Sequence, residues 1–440
     1  MRELMALPIG DIRFEDVVAF CSHQTGEHAR LEYKERFSAK DAGKQIAKEM
    51  AAFANTQGGT LLFGVKEAGN RKPMASPTGE ELGNDPKATV QSACFHNVFP
   101  PIVPEVSDYI PNPAHPSRGF LVVRVGASED IHTIDGGTGI YIRANDQNEP
   151  VPATLDRIEW MLQRRGKAVG LQESRRERAL AQLRRALLPT NDRAVRGLVE
   201  VVMGPRLVVD PLLTPQELRN RSVEFSVESA CFDYRQAPVG SDQRVVAVAQ
   251  GLYALEGATW QASEYVGGLD IFGNVSLVTQ LRRPFKVSPF VAGRKEVEAE
   301  LPRDDGKTVG VFAGHAVERI ICVVRSALKM YLASGFVGVV ELFFRAPDTR
   351  GLPLVRAVER GETVLGTCPV SENVIVQGSF VSSGLSKDPR ELLRGLVRDI
   401  LWAWGCSHDD TPDAVLGDAL ECHWGNDWRT TAAKTWGSAV

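Results

Sequence analysis

The chain has 440 residues, of which 43% are hydrophobic and 24% charged, and its formal net charge is -4. This length is too great for one ordinary hydrophobic core, so at least two domains are expected. The nearly balanced charge gives no overall attraction to nucleic acid, so any such function has to come from local basic patches.

The distribution of cysteines and apolar residues argues against a secreted or membrane-spanning protein. The seven cysteines are widely scattered, unlike the disulfide framework of a small secreted domain. The N-terminal stretch MRELMALPIGDIRFED contains acids and lacks the long apolar run of a signal peptide. Apolar runs such as Val337 to Phe344 are too short and too interrupted to span a membrane. We therefore expect a soluble protein of the reducing cytoplasm.

The first part of the chain alternates between helical and strand patterns, which predicts an α+β domain over residues 1–152. Its predicted elements are a leading helix near residues 11–23, a strand in ARLEYKE, an amphipathic helix through Phe53, the buried strand TLLFGV, a helix over 87–99, and strands from Phe120 to Gly126 and from Ile140 to Arg143. The alternation in ARLEYKE places Glu32 and Lys34 on the same face of their strand.

Three carboxylates surround the first two predicted strands. Glu27 precedes the first strand, Glu32 lies on it, and Glu67 follows the second. If the strands are neighbours, these carboxylates converge and supply the oxygen ligands that Mg²⁺ or Mn²⁺ requires. In that interpretation Lys34 holds a scissile phosphate or offsets the acidic charge. The alternative interpretation is that the acids are ordinary solvated side chains.

Two basic features are candidate contacts for nucleic acid. Lys40, Lys44 and Lys48 recur at helical spacing on the polar face of the amphipathic helix, where they either contact phosphates or are simply solvated. Residues 156–185 hold nine basic residues against four acidic ones. This segment is either a second nucleic-acid face or a charged connector between domains.

The remainder of the chain predicts a second α+β domain over residues 190–440, joined to the first by a basic helical connector over 153–189. Strand-like runs alternate there with the amphipathic helices HAVERIICVVRSALKMYLAS and PRELLRGLVRDILWAWG. The predicted strands are 207–209, 223–227, 245–248, 274–281, 337–345 and 374–376. Five of the seven tryptophans lie between Trp402 and Trp436. They either close a core or an oligomer interface, or they form a surface on which bases or a partner stack.

Three separated stretches resemble a known family. Glu27 with Glu32-Tyr33-Lys34, the motif AFANTQGGTLLFGV and the segment HTIDGGTGIYIRANDQNEPVP are similar to the Schlafen-type AlbA domain of bacterial proteins and animal Schlafens. The resemblance implies an α+β fold that binds nucleic acid. In the nuclease branch of the family it also implies a site of three carboxylates and a divalent metal that cleaves RNA, notably transfer RNA. The family's three acids fall on Glu27, Glu32 and Glu67.

The resemblance leads to the hypothesis of a metal-dependent endoribonuclease that acts on transfer RNA or other structured RNA, in phage defence, with the C-terminal domain sensing a trigger. Glu27, Glu32 and Glu67 would bind Mg or Mn, and Lys34 would face the phosphate. The other predicted contacts, which would hold the RNA backbone, are Lys40, Lys44, Lys48, Arg143, Arg164 and Arg165.

Two other functions stay open from the sequence. One is a non-catalytic DNA-binding transcriptional regulator whose C-terminal domain receives a ligand or partner. The other is a scaffold or defence-complex subunit that uses the Trp-rich tail as its contact surface. The chain has one copy of the FANT-GG motif, whereas the animal nucleases pair two lobes, so the resemblance also implies a homo-oligomer.

Overall fold

The computed structural model describes most of the chain. The described residues are 4, 7–37, 42–137, 139–143, 149–187, 197–206, 211–221, 225, 243–248, 251–256, 265–291, 294–304, 306–358, 361–367, 373–386, 389–406 and 411–424.

The described residues form α-helices of very different lengths. In chain order they are α1 Phe14–Ser22, α2 Ala42–Asn55, α3 Pro86–His96, α4 Leu155–Leu187, α5 Pro215–Asn220, α6 Arg294–Glu300, α7 Ala313–Ser334, α8 Pro389–Ala403 and α9 Thr411–Trp424.

The strands divide between the two parts of the chain. Those before α4 are β1 Leu31–Lys34, β2 Gly59–Phe63, β3 Glu67–Gly69, β4 Lys72–Pro73, β5 Val98–Phe99, β6 Glu105–Val106, β7 Ile110–Pro111, β8 Gly119–Val125, β9 Thr133–Ile134, β10 Gly139–Arg143 and β11 Pro150–Pro152. Those after α4 are β12 Leu198–Pro205, β13 Gln243–Val248, β14 Gly251–Glu256, β15 Tyr265–Asp270, β16 Val275–Gln280, β17 Arg282–Pro284, β18 Arg303–Asp304, β19 Lys307–Phe312, β20 Val339–Pro347, β21 Pro353–Val358, β22 Gly361–Thr367 and β23 Asn373–Val381.

The N-terminal part is built on a sheet in the order β1-β2-β8-β6, with β7 also paired to β8. β1 and β2 are parallel, and α2 makes the crossover that parallel neighbours require. Leu31 and Tyr33 pack on one sheet face with α1, whereas Leu61 and Phe63 pack on the other face with α2 and α3. Glu32 and Lys34 therefore point to the α2 side, as the alternation in ARLEYKE predicts.

A second, antiparallel sheet closes the other side of α2. Its order is β11-β10-β9-β5, and β10 packs directly against α2. The last residue of β10 is Arg143, which this arrangement brings beside the α2 helix. β3 and β4 form a separate hairpin after β2.

The C-terminal part is built on an antiparallel sheet in the order β13-β14-β15-β16-β12-β20-β23. β12 lies near its centre, and its side chains alternate between two layers. Val199 and Val201 pack with α7 on one face, and Leu198 and Val202 pack with Leu180 and its neighbours from α4 on the other. A smaller sheet, β17-β19-β21-β22 with β18 beside β19, lies next to this core.

The predicted α+β class is therefore found in the described residues, as a mixed N-terminal region followed by further β-sheets. The two predicted C-terminal amphipathic helices are α7 and α8, whereas β12 is missing from the predicted strands. The strands predicted at 207–209 and 223–227 fall outside the described residues, apart from Phe225. In the described part of the chain, no helix has the length and apolar character needed to cross a membrane.

Candidate functional site

The motif AFANTQGG lies at the end of α2, and hydrogen bonds of its side chains connect the helix to the second sheet. The Asn55 side chain donates to the carbonyl oxygens of His132 and Tyr141 at 2.8 and 2.9 Å, and it accepts the His132 N–H at 2.7 Å. The hydroxyl of Thr56 accepts the backbone N–H of Arg143 at 2.9 Å. These bonds fix the end of β10, and with it Arg143, against the end of α2.

The two glycines of the motif lie where side chains have no room. A Cβ on Gly58, whose φ is +73°, would lie 2.7 Å from the carbonyl oxygens of Val125 and Val337. A Cβ on Gly59 would lie 2.3 Å from the ring of Phe53. The glycines therefore let β2 begin directly beneath the last turn of α2.

Four charged side chains meet between β1, α2 and β10, and we call them the buried charge cluster: Glu32, Lys34, Glu49 and Arg143. The Arg143 guanidinium reaches Glu32 Oε2 at 2.7 Å and Glu49 Oε2 at 3.1 Å. The Lys34 ammonium pairs with the other oxygen of Glu32 and lies 3.5 Å from Glu49 Oε1. Each carboxylate is thus shared between the same two cations.

Burial sets the electrostatics of this cluster. The Arg143 side chain is 0% exposed, and those of Glu32 and Glu49 are 3% and 6% exposed. Burial, followed by the charge of Glu32, raises the pKa of Glu49 to about 7, although Arg143 and Lys34 oppose this shift. Burial disfavours the Lys34 ammonium, but the charges of Glu49 and Glu32 raise its pKa above the ordinary value. The two cations thus oppose the effect of burial on Glu49, but burial is the larger influence on its pKa.

Glu49 is the member that the sequence analysis missed. It lies among Ile46, Met50 and Phe53, which form the apolar face of α2. An acid at such a position is the available sequence signal, because a charged residue on a core-facing position needs a buried partner. Its partner Arg143 is remote in sequence, so the pairing itself cannot be read from local spacing.

Glu27 lies outside the cluster, but the charges of Glu32 and Lys34 affect its pKa. Its carboxylate accepts the backbone N–H of Tyr33 at 3.0 Å. Burial raises the pKa of Glu27 to about 7; the Tyr33 hydrogen bond lowers it, the charges of Glu32 and Glu67 raise it, and Lys34 lowers it. Glu67 itself is exposed at the start of β3. The three predicted acids therefore share one electrostatic neighbourhood.

The arrangement of these acids does not fit a bound Mg²⁺ or Mn²⁺ as it stands. Both oxygens of Glu32 are paired with cations, one with Lys34 and the other with Arg143. Within the described ranges, no group of three or more His, Cys, Asp or Glu residues is arranged to hold a metal ion. Ligation by Glu32 would first require the displacement of Lys34 or Arg143, so the three-carboxylate metal site stays a prediction.

The predicted phosphate contacts differ in their accessibility. Lys44 is exposed on α2, and the Lys48 ammonium lies 4.7 Å from the centre of the Tyr141 ring. Arg143, by contrast, is fully buried in the charge cluster and is not available to a phosphate in this conformation. Lys40 lies outside the described residues, as do the side chains of Arg164 and Arg165.

Two arginines in the second half of α4 pack against aromatic rings of the C-terminal part. The Arg175 guanidinium lies 3.6 Å from the centre of the Phe272 ring, and that of Arg176 lies 3.9 Å from the centre of the Phe343 ring. These contacts join α4 to the C-terminal sheet.

The region that contains the charge cluster also matches a known family. Residues 27–152 match the family model described as Schlafen, AlbA_2. This part of the chain is a Schlafen AlbA_2 domain, and the family is associated with nucleic-acid binding. The resemblance predicted from the three sequence stretches is therefore confirmed.

Comparison with solved structures gives a distant likeness. The crystal structure of the DIP2311 protein from Corynebacterium diphtheriae aligns with 89% of this chain and 88% of its own, at 11% sequence identity and a TM-score of 0.23. A likeness at this level supports no conclusion about fold or function. No curated protein matches the chain.

Proposed function

We propose that the protein binds nucleic acid through its N-terminal domain and that the buried charge cluster serves the fold of this domain. The family association supports the first part of the proposal. The second part rests on one observation: the Arg143 side chain is completely buried and bonded to both Glu32 and Glu49. Two carboxylates balanced by two buried or half-buried cations have little net charge with which to attract a metal ion.

The accessible lysines of α2 are the proposed contacts for the backbone of the nucleic acid. Lys44 and Lys48 are one helical turn apart, so their ammonium groups lie along the same side of the helix. Contacts between lysines and phosphates release counterions, which makes the affinity fall as salt rises. Binding should therefore need no divalent metal and should weaken steeply with ionic strength.

Metal-dependent cleavage of RNA is the second candidate function, and the environment of Glu27 favours it. This half-buried carboxyl has a pKa raised to about 7 by burial and is influenced by the charges of Glu32, Glu67 and Lys34. An acid whose pKa is strongly shifted by burial and by nearby charges is a common feature of functional sites. Structured RNA, including transfer RNA, is the substrate to test.

Binding and cleavage can be separated in one set of assays. Labelled transfer RNA, single-stranded RNA and duplex DNA are titrated with the protein in EDTA and in Mn²⁺, over a series of salt concentrations. We expect salt-dependent binding in EDTA and intact RNA in Mn²⁺. If the protein binds none of these nucleic acids at low salt, the proposed function is wrong.

The variant Glu27→Gln distinguishes the two candidates. It keeps the acceptor for the Tyr33 N–H and removes only the charge, so it should fold normally. If RNA is cleaved in Mn²⁺ by the wild type and is left intact by Glu27→Gln, the nuclease candidate replaces the non-catalytic one. Glu32→Ala is a poorer test because it removes one of the two carboxylates that pair with the buried Arg143.

A further inference from the structure

Two phenylalanines near the end of α3 have unusually exposed rings. Phe95 is 62% exposed and Phe99 is 70% exposed. Single exposed apolar residues are common on proteins, but these two line the same cavity, which has a volume of about 630 Å³. We call it the phenylalanine cavity. Its volume lies in the range of small-molecule sites.

The remaining lining gives the phenylalanine cavity a basic and hydrogen-bonding character. Lys44 from α2 lines it, as do His96 and Asn97, which lie between Phe95 and Phe99 in the sequence. The rings of Phe95 and His96 meet edge to face, with their centres 5.2 Å apart. No carboxylate is among the residues of the described ranges that line the cavity. An anionic ligand with an apolar, planar part therefore suits it best.

The backbone explains why these side chains meet. Lys44, Ala47 and Lys48 lie on one side of α2 at helical spacing, and the small Ala47 leaves room beside the cavity. The Lys48 ammonium, which lies over the Tyr141 ring, continues the basic side of α2 beyond Lys44. Phe99 belongs to β5, the edge strand of the second sheet.

We infer that the phenylalanine cavity binds single-stranded nucleic acid, with bases stacked on Phe95 and Phe99 and a backbone phosphate near Lys44. Every base has a face that stacks on an aromatic ring, and a lysine at the edge of the stack attracts the linking phosphate. A duplex keeps its base faces inside its own stack, so the exposed rings favour an unpaired strand. The inference rests on the proposed function and assigns it a site and a ligand class.

Alanine substitutions of the two rings test the inference. A short labelled single-stranded RNA, the same sequence as DNA, and a duplex are titrated with full-length protein in EDTA. Phe95→Ala and Phe99→Ala should each weaken single-strand binding by about tenfold or more, the effect expected when one stacked base is lost. Duplex binding should change less. Lys44→Gln should lower the slope of log affinity against log salt by about 0.7, one phosphate contact on a single strand.

Two matched variants control for changes in folding and charge. Phe290→Ala removes a ring that is 66% exposed in the C-terminal part, and Lys295→Gln removes an exposed lysine there. Both should leave the affinity and the salt slope unchanged. Phe99→Trp provides a direct signal, because the emission of a tryptophan that stacks on a base should be quenched when single-stranded RNA is added.

The outcomes separate this site from the proposed function. If the wild type binds single strands and both alanine variants bind them equally well, the site is wrong and the proposed function stands. If no nucleic acid binds, the proposed function fails first. If Phe99→Ala converts a dimer into a monomer in light scattering while RNA affinity is unchanged, the cavity is a contact between copies of the chain and the inference is overturned.

Discussion

Arg143 is the residue on which the buried charge cluster depends. Its planar guanidinium bonds to Glu32 and Glu49 with two different nitrogens and lies 4.5 Å from the centre of the Phe53 ring. A lysine has a single ammonium and cannot reproduce this fork and stack. Without Arg143, two buried carboxylates would repel each other and share only Lys34.

Arg143→Ala is therefore expected to lower the free energy of unfolding by about 3–5 kcal/mol, the usual cost of removing one partner of a buried ion pair. Urea denaturation measures this change. Arg143→Lys should recover only part of the loss. The control is Arg36→Ala, which removes a side chain that is 64% exposed and paired with Glu80 at the surface. The control should cost less than about 1 kcal/mol. If Arg143→Ala and Arg36→Ala lower the free energy of unfolding equally, the buried charge cluster stabilises the fold no more than a surface ion pair does.

Glu27 gives the domain a defined dependence on pH. Its pKa in the folded protein is about 7, above the value of 4.5 for an unperturbed glutamate. Between these two values the folded state holds a proton that the unfolded state has released. This group therefore stabilises the fold fully below about pH 4.5, and the stabilisation is lost as the pH rises to about 7.

The measurable consequence is a pH-dependent effect of Glu27→Gln, which cannot lose a proton. We subtract the free energy of unfolding of the wild type from that of Glu27→Gln. This difference should increase between pH 4.5 and pH 7 and then stay constant. Urea denaturation of both proteins across this range gives the difference, with the value at pH 4.5 as the internal reference. If this difference stays constant or decreases as the pH rises, the raised pKa of Glu27 is wrong.

At the scale of elements, the β1–α2–β2 unit and its glycine turn hold the cluster in place. Gly59→Ala would push a methyl group against the ring of Phe53, which supports Arg143. We expect this substitution to cost about 1–3 kcal/mol of stability, as overpacking does. Gly170→Ala is the matched control, because nothing lies within 4 Å of the added Cβ and the residue is within α4. The control should stabilise the protein by up to about 1 kcal/mol. The prediction is contradicted if both changes are neutral.

The elements also show how far the sequence is informative. The alternation in ARLEYKE and the spacing in α2 were sufficient to predict those elements, because apolar residues recur in them at the period of a strand and of a helix. β12 is buried on both faces, between α4 and α7, so it has no such alternation and was missed. Glu49 was missed for a related reason: its burial depends on Arg143, which comes from another sheet.

At the scale of the whole molecule, α4 extends from the Schlafen AlbA_2 domain onto the C-terminal sheet. Its last turns bury Leu180 and Leu183 against β12 and its neighbours. Beside them, the fully buried Glu200 of β12 pairs with Arg184 from α4 and with Arg345 from β20. Arg175, Arg176 and Arg184 of α4 thus all contact residues of the C-terminal part and hold the helix against its sheet.

Glu200→Ala should consequently release the end of α4 without disturbing nucleic-acid binding. We expect a loss of about 1–3 kcal/mol of stability, because Arg184 and Arg345 lose a buried partner but remain partly exposed to water. Trypsin should cut faster within α4, which is rich in arginine. Glu298→Ala, which removes a surface partner of Arg294, should change neither quantity. If Glu200→Ala instead alters RNA affinity while stability and trypsin cleavage stay unchanged, the cations of α4 contact nucleic acid directly. The basic segment would then be a binding face, the alternative that its composition left open.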